Sequence, residues 1–145
     1  MNGGSLVTPR LLKSTIQPNL DISPLNLNPK HLRVVLDGMS KVTNGSRGTA
    51  RGVSRPSSSF RFGGKTGSVQ VKRISLDDRR VGNVKNKDKP RADRDHAMFV
   101  GYAPLSSPRY VVSVVVEHGG GGSTMAAPIA RDILEKTIEL DPVAL

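Results

Sequence analysis

The chain contains no cysteine and no tryptophan, and only 3% of its residues are aromatic. Without cysteine there is no disulfide framework, no thiol nucleophile and no zinc–thiolate site, and the compartment stays open. With so few aromatics and 36% apolar residues, a core must be built from Val, Leu, Ile and Ala. No stretch approaches the roughly 18 apolar residues of a membrane-spanning helix. Met1-Asn2-Gly3-Gly4-Ser5 lacks the charged and apolar regions of a signal peptide, so this chain, taken by itself, is expected to be soluble and unexported. Acidic residues are missing from 38–76, where Lys41, Arg47, Arg51, Arg55, Arg61, Lys65, Lys72 and Arg73 are all basic. The formal net charge of +10 is therefore concentrated around one part of the chain. Such a field suits nucleic acid, an anionic membrane surface or a carboxylate-bearing substrate. Single-strand nucleic-acid readers interleave aromatics with their cations, and the basic stretch does not, so no nucleic-acid partner is expected. His31 has no second ligand nearby in sequence, and neither a metal nor a cofactor is expected.

A length of 145 residues suits one domain with a single core. Residues 1–27 read as irregular, with an extended piece at Leu6–Leu12 that Pro9 confines to an edge. Asn28-Pro29 is a helix start, and Leu32, Val35, Leu36, Met39 and Val42 give one apolar face, predicting a helix at about 29–43. Asn44-Gly45 should end it with a left-handed cap. Residues 45–59, rich in Ser, Gly and Arg, read as a mobile basic loop. Residues 73–95, with Asp77-Asp78-Arg79-Arg80 and Lys85-Asn86-Lys87-Asp88-Lys89-Pro90, read as an irregular, mobile charged connection.

Two strands follow, His96–Ala103 and Tyr110–Glu117, joined by the hairpin loop Pro104–Pro108. The near-continuous valines of the second predict burial on both faces. His118-Gly119-Gly120-Gly121-Gly122 reads as a hinge. A phosphate loop would need a Lys-Ser/Thr after the glycines, and none is there. Ser123 is the expected cap of a C-terminal helix with Pro128 in its first turn. Ile129, Ile133, Leu134, Thr137 and Ile138 form the stripe expected to cover a sheet. Three strands with helices laid on one face make an α+β plan.

The chemistry-bearing stretch is Gly63-Gly64-Lys65-Thr66-Gly67-Ser68-Val69-Gln70-Val71. Val69 and Val71 alternate with polar residues, as a strand requires. Glycines in a strand often mark close approach by another chain. A cation, a hydroxyl and glycines on one strand edge can seat an extended peptide that ends in a carboxylate. The bare Lys-Thr-Gly tripeptide recurs by chance in many proteins and reads equally as an ordinary strand after a glycine turn.

The order of motifs is far more specific. Asn2-Gly3-Gly4-Ser5-Leu6-Val7-Thr8-Pro9-Arg10-Leu11, Val35-Leu36-Asp37-Gly38-Met39, Gly48-Thr49-Ala50 and Gly64-Lys65-Thr66-Gly67-Ser68-Val69-Gln70 come first. Asp95–Pro104, Val114–Gly120 and Ala127-Pro128-Ile129-Ala130 follow. In this order they resemble the C-terminal part of the transpeptidase domain of class B penicillin-binding proteins, the elongation-type members above all, over nearly the whole chain. Lys-Thr-Gly is one of that family's three motifs. The resemblance implies the antiparallel sheet and flanking helices of a serine β-lactamase-like fold. It also implies a D,D-transpeptidase that cross-links peptidoglycan stem peptides through a serine acyl-enzyme and is acylated by β-lactams. By resemblance Lys65 faces the cleft and supports proton transfer, and Thr66 binds the terminal carboxylate. Gly67 permits close approach, and the backbone N–H of Ser68 is an oxyanion-hole donor.

The departures from the family are equally informative. No lysine has a serine three residues before it, so the nucleophile motif Ser-x-x-Lys is absent; no asparagine has a serine two residues before it, so Ser-x-Asn is absent too. Residues 1–145 are thus expected to be the C-terminal portion of such a domain, inactive alone and marginally stable. The parent would sit in the bacterial inner membrane with this domain on the periplasmic face. Its partners would be stem peptides, β-lactams, a glycan polymerase and rod-shape scaffold proteins. Two other readings stand beside this one: a small basic nucleic-acid-binding protein, supported only by charge, and a non-catalytic interaction module.

Overall fold

A computed structural model describes residues 2, 4–6, 23–54, 60–82 and 84–141. Two short strands, β1 (Ser5–Leu6) and β2 (Ser23–Pro24), pair antiparallel. The extended piece expected beyond Leu6 lies outside the described residues, as do Arg55, Pro56–Ser59 and Pro142.

Helix α1 spans Pro29–Asn44, one residue beyond the expected end. The Asn28 side chain accepts the Lys30 N–H at 3.0 Å, and Pro29 needs no amide partner, so the start follows from the sequence. The end differs from expectation. Gly45 is extended, at φ −79° and ψ 149°, rather than left-handed. The chain must turn back immediately, because Gly48 tucks beneath the Lys41 and Val42 carbonyls and the Ala50 N–H bonds Val42 O at 2.9 Å. A side chain at Gly48 would stand only 2.3 Å from those two oxygens. Residues 45–54 are accordingly turns and one 3-10 turn, Arg51–Val53, that bury Ala50 and Val53 in the core. The described part of the expected loop is therefore packed on the core, because two small apolar side chains find a home there.

Strands β3 (Gly63–Val69), β4 (His96–Ala103) and β5 (Tyr110–Val116) form an antiparallel sheet in that order. Thr66 pairs with Phe99, and Phe99 with Val114. Alternation puts Ala97, Phe99, Gly101 and Ala103 on one face with Val112, Val114 and Val116. Helix α3 (Ala127–Glu139) covers that face through Ala127, Ala130 and Leu134. Ile129 and Ile133, expected in the stripe, are 43% and 46% exposed. The covering side is offset toward the alanines, whose small side chains let the helix lie close to the sheet. Pro128 does occupy the first turn, but Ser123 is not the cap; it lies inside a π turn, Gly122–Ala126.

The valines of β5 are not buried on both faces. Val111 and Val115 are 60% and 54% exposed, because only the Val112–Val114–Val116 face of β5 is packed against the core among the described residues. Nor do the helices share one face. Tyr102, of opposite parity to Phe99, donates its hydroxyl to Leu36 O of α1 at 3.3 Å, so α1 meets the other face at that end. The α+β class stands. Thr43, fully buried, binds α1 to the lead-in of β3 by donating to the Phe62 carbonyl at 2.5 Å, where Asn44 donates as well, at 2.9 Å.

The charged stretch 73–95 is not wholly irregular where it is described. It holds α2 (Leu76–Val81), started by a reciprocal capping box between Ser75 and Asp78, and two 3-10 turns, Asn86–Asp88 and Arg91–Asp93. Asp95 ties its end down, accepting from Asn86 at 2.9 Å and from Lys89 at 3.3 Å.

Candidate active-site strand

The stretch expected to carry chemistry is β3, and it lies at the edge of the sheet. Lys65 and Thr66 alternate about the strand, Lys65 on the side of Tyr102 and Thr66 on that of Phe99. Lys65 is exposed and donates its Nζ to Thr66 O at 2.8 Å. Thr66 is half-buried, with its hydroxyl 3.2 Å from that of Thr49. Gly67 is half-buried, and Ser68 is exposed. A cation, a pair of hydroxyls and a strand edge that no other strand pairs with among the described residues therefore sit along one rim, which is what an extended carboxylate-bearing chain would pair with.

Three glycines around this rim have definite causes. Gly63 and Gly64 do not make room for a ligand. A Cβ on Gly63 would stand 2.7 Å from the Tyr102 ring, and one on Gly64 2.2 Å from the Phe99 ring. Both spaces are filled from within the chain, which corrects the reading of these two as an approach surface. The third, Gly122, comes from the run read as a hinge. A Cβ there would meet Met98 O at 2.4 Å and Gly67 O at 2.5 Å. The glycine run thus backs β3 at the point where Gly67 lies.

Thr49 was not among the residues singled out for the site, although Gly48-Thr49-Ala50 belongs to the ordered motifs. Its place in the motif order ahead of β3 is the one sequence signal that could have found it. Two other motif words also meet. The rings of His96 and His118 stand 4.8 Å apart, and the His118 backbone N–H donates to His96 Nδ1 at 2.9 Å. Among the described residues no group of three or more His, Asp or Glu side chains is placed to hold a metal ion.

Comparison with known proteins decides the family. The model of the penicillin binding protein transpeptidase domain matches residues 1–135. The chain belongs to the penicillin-binding protein transpeptidase family. It is 34% identical over 143 residues to the peptidoglycan D,D-transpeptidase MrdA of Haemophilus influenzae, covering 93% of this chain and 21% of that protein. Among solved structures it is similar to penicillin-binding protein 2 of Pseudomonas aeruginosa in complex with WCK 5153, at 32% identity and TM-score 0.64, covering 89% of this chain and 24% of that one. It is also similar to penicillin-binding protein 2 of Helicobacter pylori in complex with MreC, at 31% identity and TM-score 0.68, covering 94% and 22%. The resemblance to the elongation-type branch thus holds, and the chain spans about a fifth of the length of the transpeptidases it matches.

Proposed function

We propose that this chain supplies the Lys-Thr-Gly wall of the active site of a penicillin-binding protein 2-type peptidoglycan D,D-transpeptidase. The observation that carries the reading is the rim of β3: exposed Lys65 and the Thr49–Thr66 hydroxyl pair on a strand edge that no strand among the described residues pairs with, within residues matched to the family.

The stem peptide lies along β3 as an added strand, its terminal carboxylate accepting from the Thr66 hydroxyl. Lys65 places positive potential beside that carboxylate and supports proton transfer through hydrogen bonds to the family's other motifs. Gly67 keeps the rim low where the scissile carbonyl arrives. The Ser68 backbone N–H donates to the oxygen that gains charge as the carbonyl becomes tetrahedral. An oxyanion donor of this kind is worth roughly 3–4 kcal/mol in other enzymes. The serine that forms the acyl-enzyme is not among these residues, since no serine here stands three before a lysine. A carboxylate seat and an oxyanion donor without a nucleophile do not perform covalent catalysis, so the chain by itself does not acylate. The parent enzyme is anchored in the bacterial inner membrane and works in the periplasm beside a glycan polymerase and rod-shape scaffold proteins. The complex of the Helicobacter relative with MreC supports the scaffold partnership.

The test is the second-order rate of penicillin acylation in a protein that joins these residues to a Ser-x-x-Lys segment. Thr66→Val is expected to lower it at least tenfold, and Thr66→Ser to restore most of it, because a neutral-to-charged hydrogen bond is worth about 1.5–3 kcal/mol. An unchanged rate in Thr66→Val would remove Thr66 from the carboxylate seat.

A further inference from the structure

Beyond β3 the chain continues through Gln70 and Arg73 into Ser75 and α2. There it bounds an open groove of about 850 Å³, lined by Val71, Arg73, Ile74, Leu76 and Arg79. The guanidinium groups of Arg73 and Arg79 make no hydrogen bond or ion pair among the described residues. Their neighbours are engaged: Lys72 holds Asp93 at 2.9 Å, Arg80 faces Asp77 at 3.6 Å, and Asp78 accepts from the Ser75 backbone and hydroxyl. Two uncommitted forked cations thus flank a groove whose walls carry exposed aliphatic side chains, Leu76 at 75% and Val71 at 42%.

The groove lies on the path a bound stem peptide takes, which rests on the reading of β3 given above. With the terminal carboxylate at Thr66 and the scissile carbonyl at Ser68, an antiparallel peptide runs toward Val69. At about 3.3 Å per residue on both strands, the second and third residues upstream of the scissile bond come level with Val69 and Gln70, and Gln70 lines the mouth of the groove. We propose that this groove is a second subsite, which takes a free carboxylate carried by a residue upstream of the scissile bond. Arg73 and Arg79 fork the carboxylate, and Val71 and Leu76 pack the aliphatic stem that bears it.

The experiment uses this 145-residue chain and two synthetic acetylated pentapeptides ending in D-Ala-D-Ala. They are identical except that one upstream acidic residue carries either its free carboxylate or the carboxamide. Titration calorimetry at low ionic strength is expected to give a Kd about tenfold lower for the carboxylate peptide, the scale of one hydrogen-bonded charge. Raising the salt should shrink that preference. In Arg73→Gln/Arg79→Gln, with the circular dichroism of the parent, the preference should vanish while the carboxamide peptide binds as before. Equal affinity for the two peptides, with Thr66→Val weakening both, would overturn this subsite and leave the seat on β3 standing. A preference that survives in the double variant would also overturn it. Binding of neither peptide would overturn the subsite and the reading of β3 together.

Discussion

Replacing Gly122 by alanine tests whether the glycine run supports β3 from behind. The new methyl would have to occupy a point 2.4 Å from Met98 O, 2.5 Å from Gly67 O and 3.0 Å from Gly67 N. All three are backbone atoms in a hydrogen-bonded sheet, so no side chain can rotate away. Either β3 and β4 move from the π turn by roughly half an ångström or more, or the turn unwinds; overpacking of this kind costs about 1–3 kcal/mol. For a chain of this size that lowers the unfolding midpoint by roughly 3–10 °C. The control is Gly121→Ala. Its methyl would meet only the Thr124 hydroxyl, at 2.8 Å, a group that can turn, and Gly121 sits at φ −101°, open to any residue. Thermal unfolding by circular dichroism should therefore separate the two variants. Amide exchange should also quicken at Gly67 and Ser68 in Gly122→Ala and not in Gly121→Ala. Equal midpoints for the two variants would show that the close backbone approach does not hold, and with it the supporting role of the run.

Other consequences are equally direct. Leu134→Ala should cost about 2–5 kcal/mol in urea unfolding, because a fully buried side chain leaves a cavity against the sheet, whereas Ile133→Ala, half exposed, should cost far less. The Asn86 amide, then Lys89, holds the Asp95 carboxyl below the ordinary aspartate value, against a desolvation that acts the other way. Its stabilising contribution is thus present above that ordinary value and lost as pH falls toward the lowered one. Amide exchange in 84–95 should quicken over that acid window, and Asn86→Ala should move the loss to higher pH. In an acylation-competent protein, Thr49→Val should slow penicillin acylation about fivefold, the scale of one neutral hydrogen bond, if its hydroxyl orients that of Thr66. Because Val111 and Val115 are more than half exposed, the chain should bind the dye ANS, and lysine at both positions should reduce that binding.

How far the sequence could be read depended on whether the signal was local. Asn28-Pro29 and the alternating residues of β4 carry their own geometry, and α1 begins and β4 begins and ends where they were expected. The features that escaped are set by neighbours distant in sequence. Gly63 and Gly64 are small because Tyr102 and Phe99 need their space. The covering side of α3 is marked by Ala127 and Ala130, which carry little hydrophobic signal of their own, so the isoleucines misplaced the stripe. The valines of β5 look fully buried until it is known that only one face of the strand is packed among the described residues. In 73–95 the density of charge hid a capping box whose acid is Asp78 rather than a glutamate. At the candidate site, Lys65, Thr66, Gly67 and Ser68 were legible only through the order of motifs around them. The approach of Thr49 to Thr66 spans 17 residues, and only the place of Gly48-Thr49-Ala50 in the motif order points to it.

As proposed, these residues form one wall of a transpeptidase site whose nucleophile lies elsewhere. Labelling with a fluorescent penicillin tests it most directly, on this chain and on a protein that joins the same residues to an upstream segment bearing Ser-x-x-Lys. A covalent label is expected on the joined protein only. A label on the 145-residue chain itself would make one of its own serines the nucleophile and overturn this reading of the site.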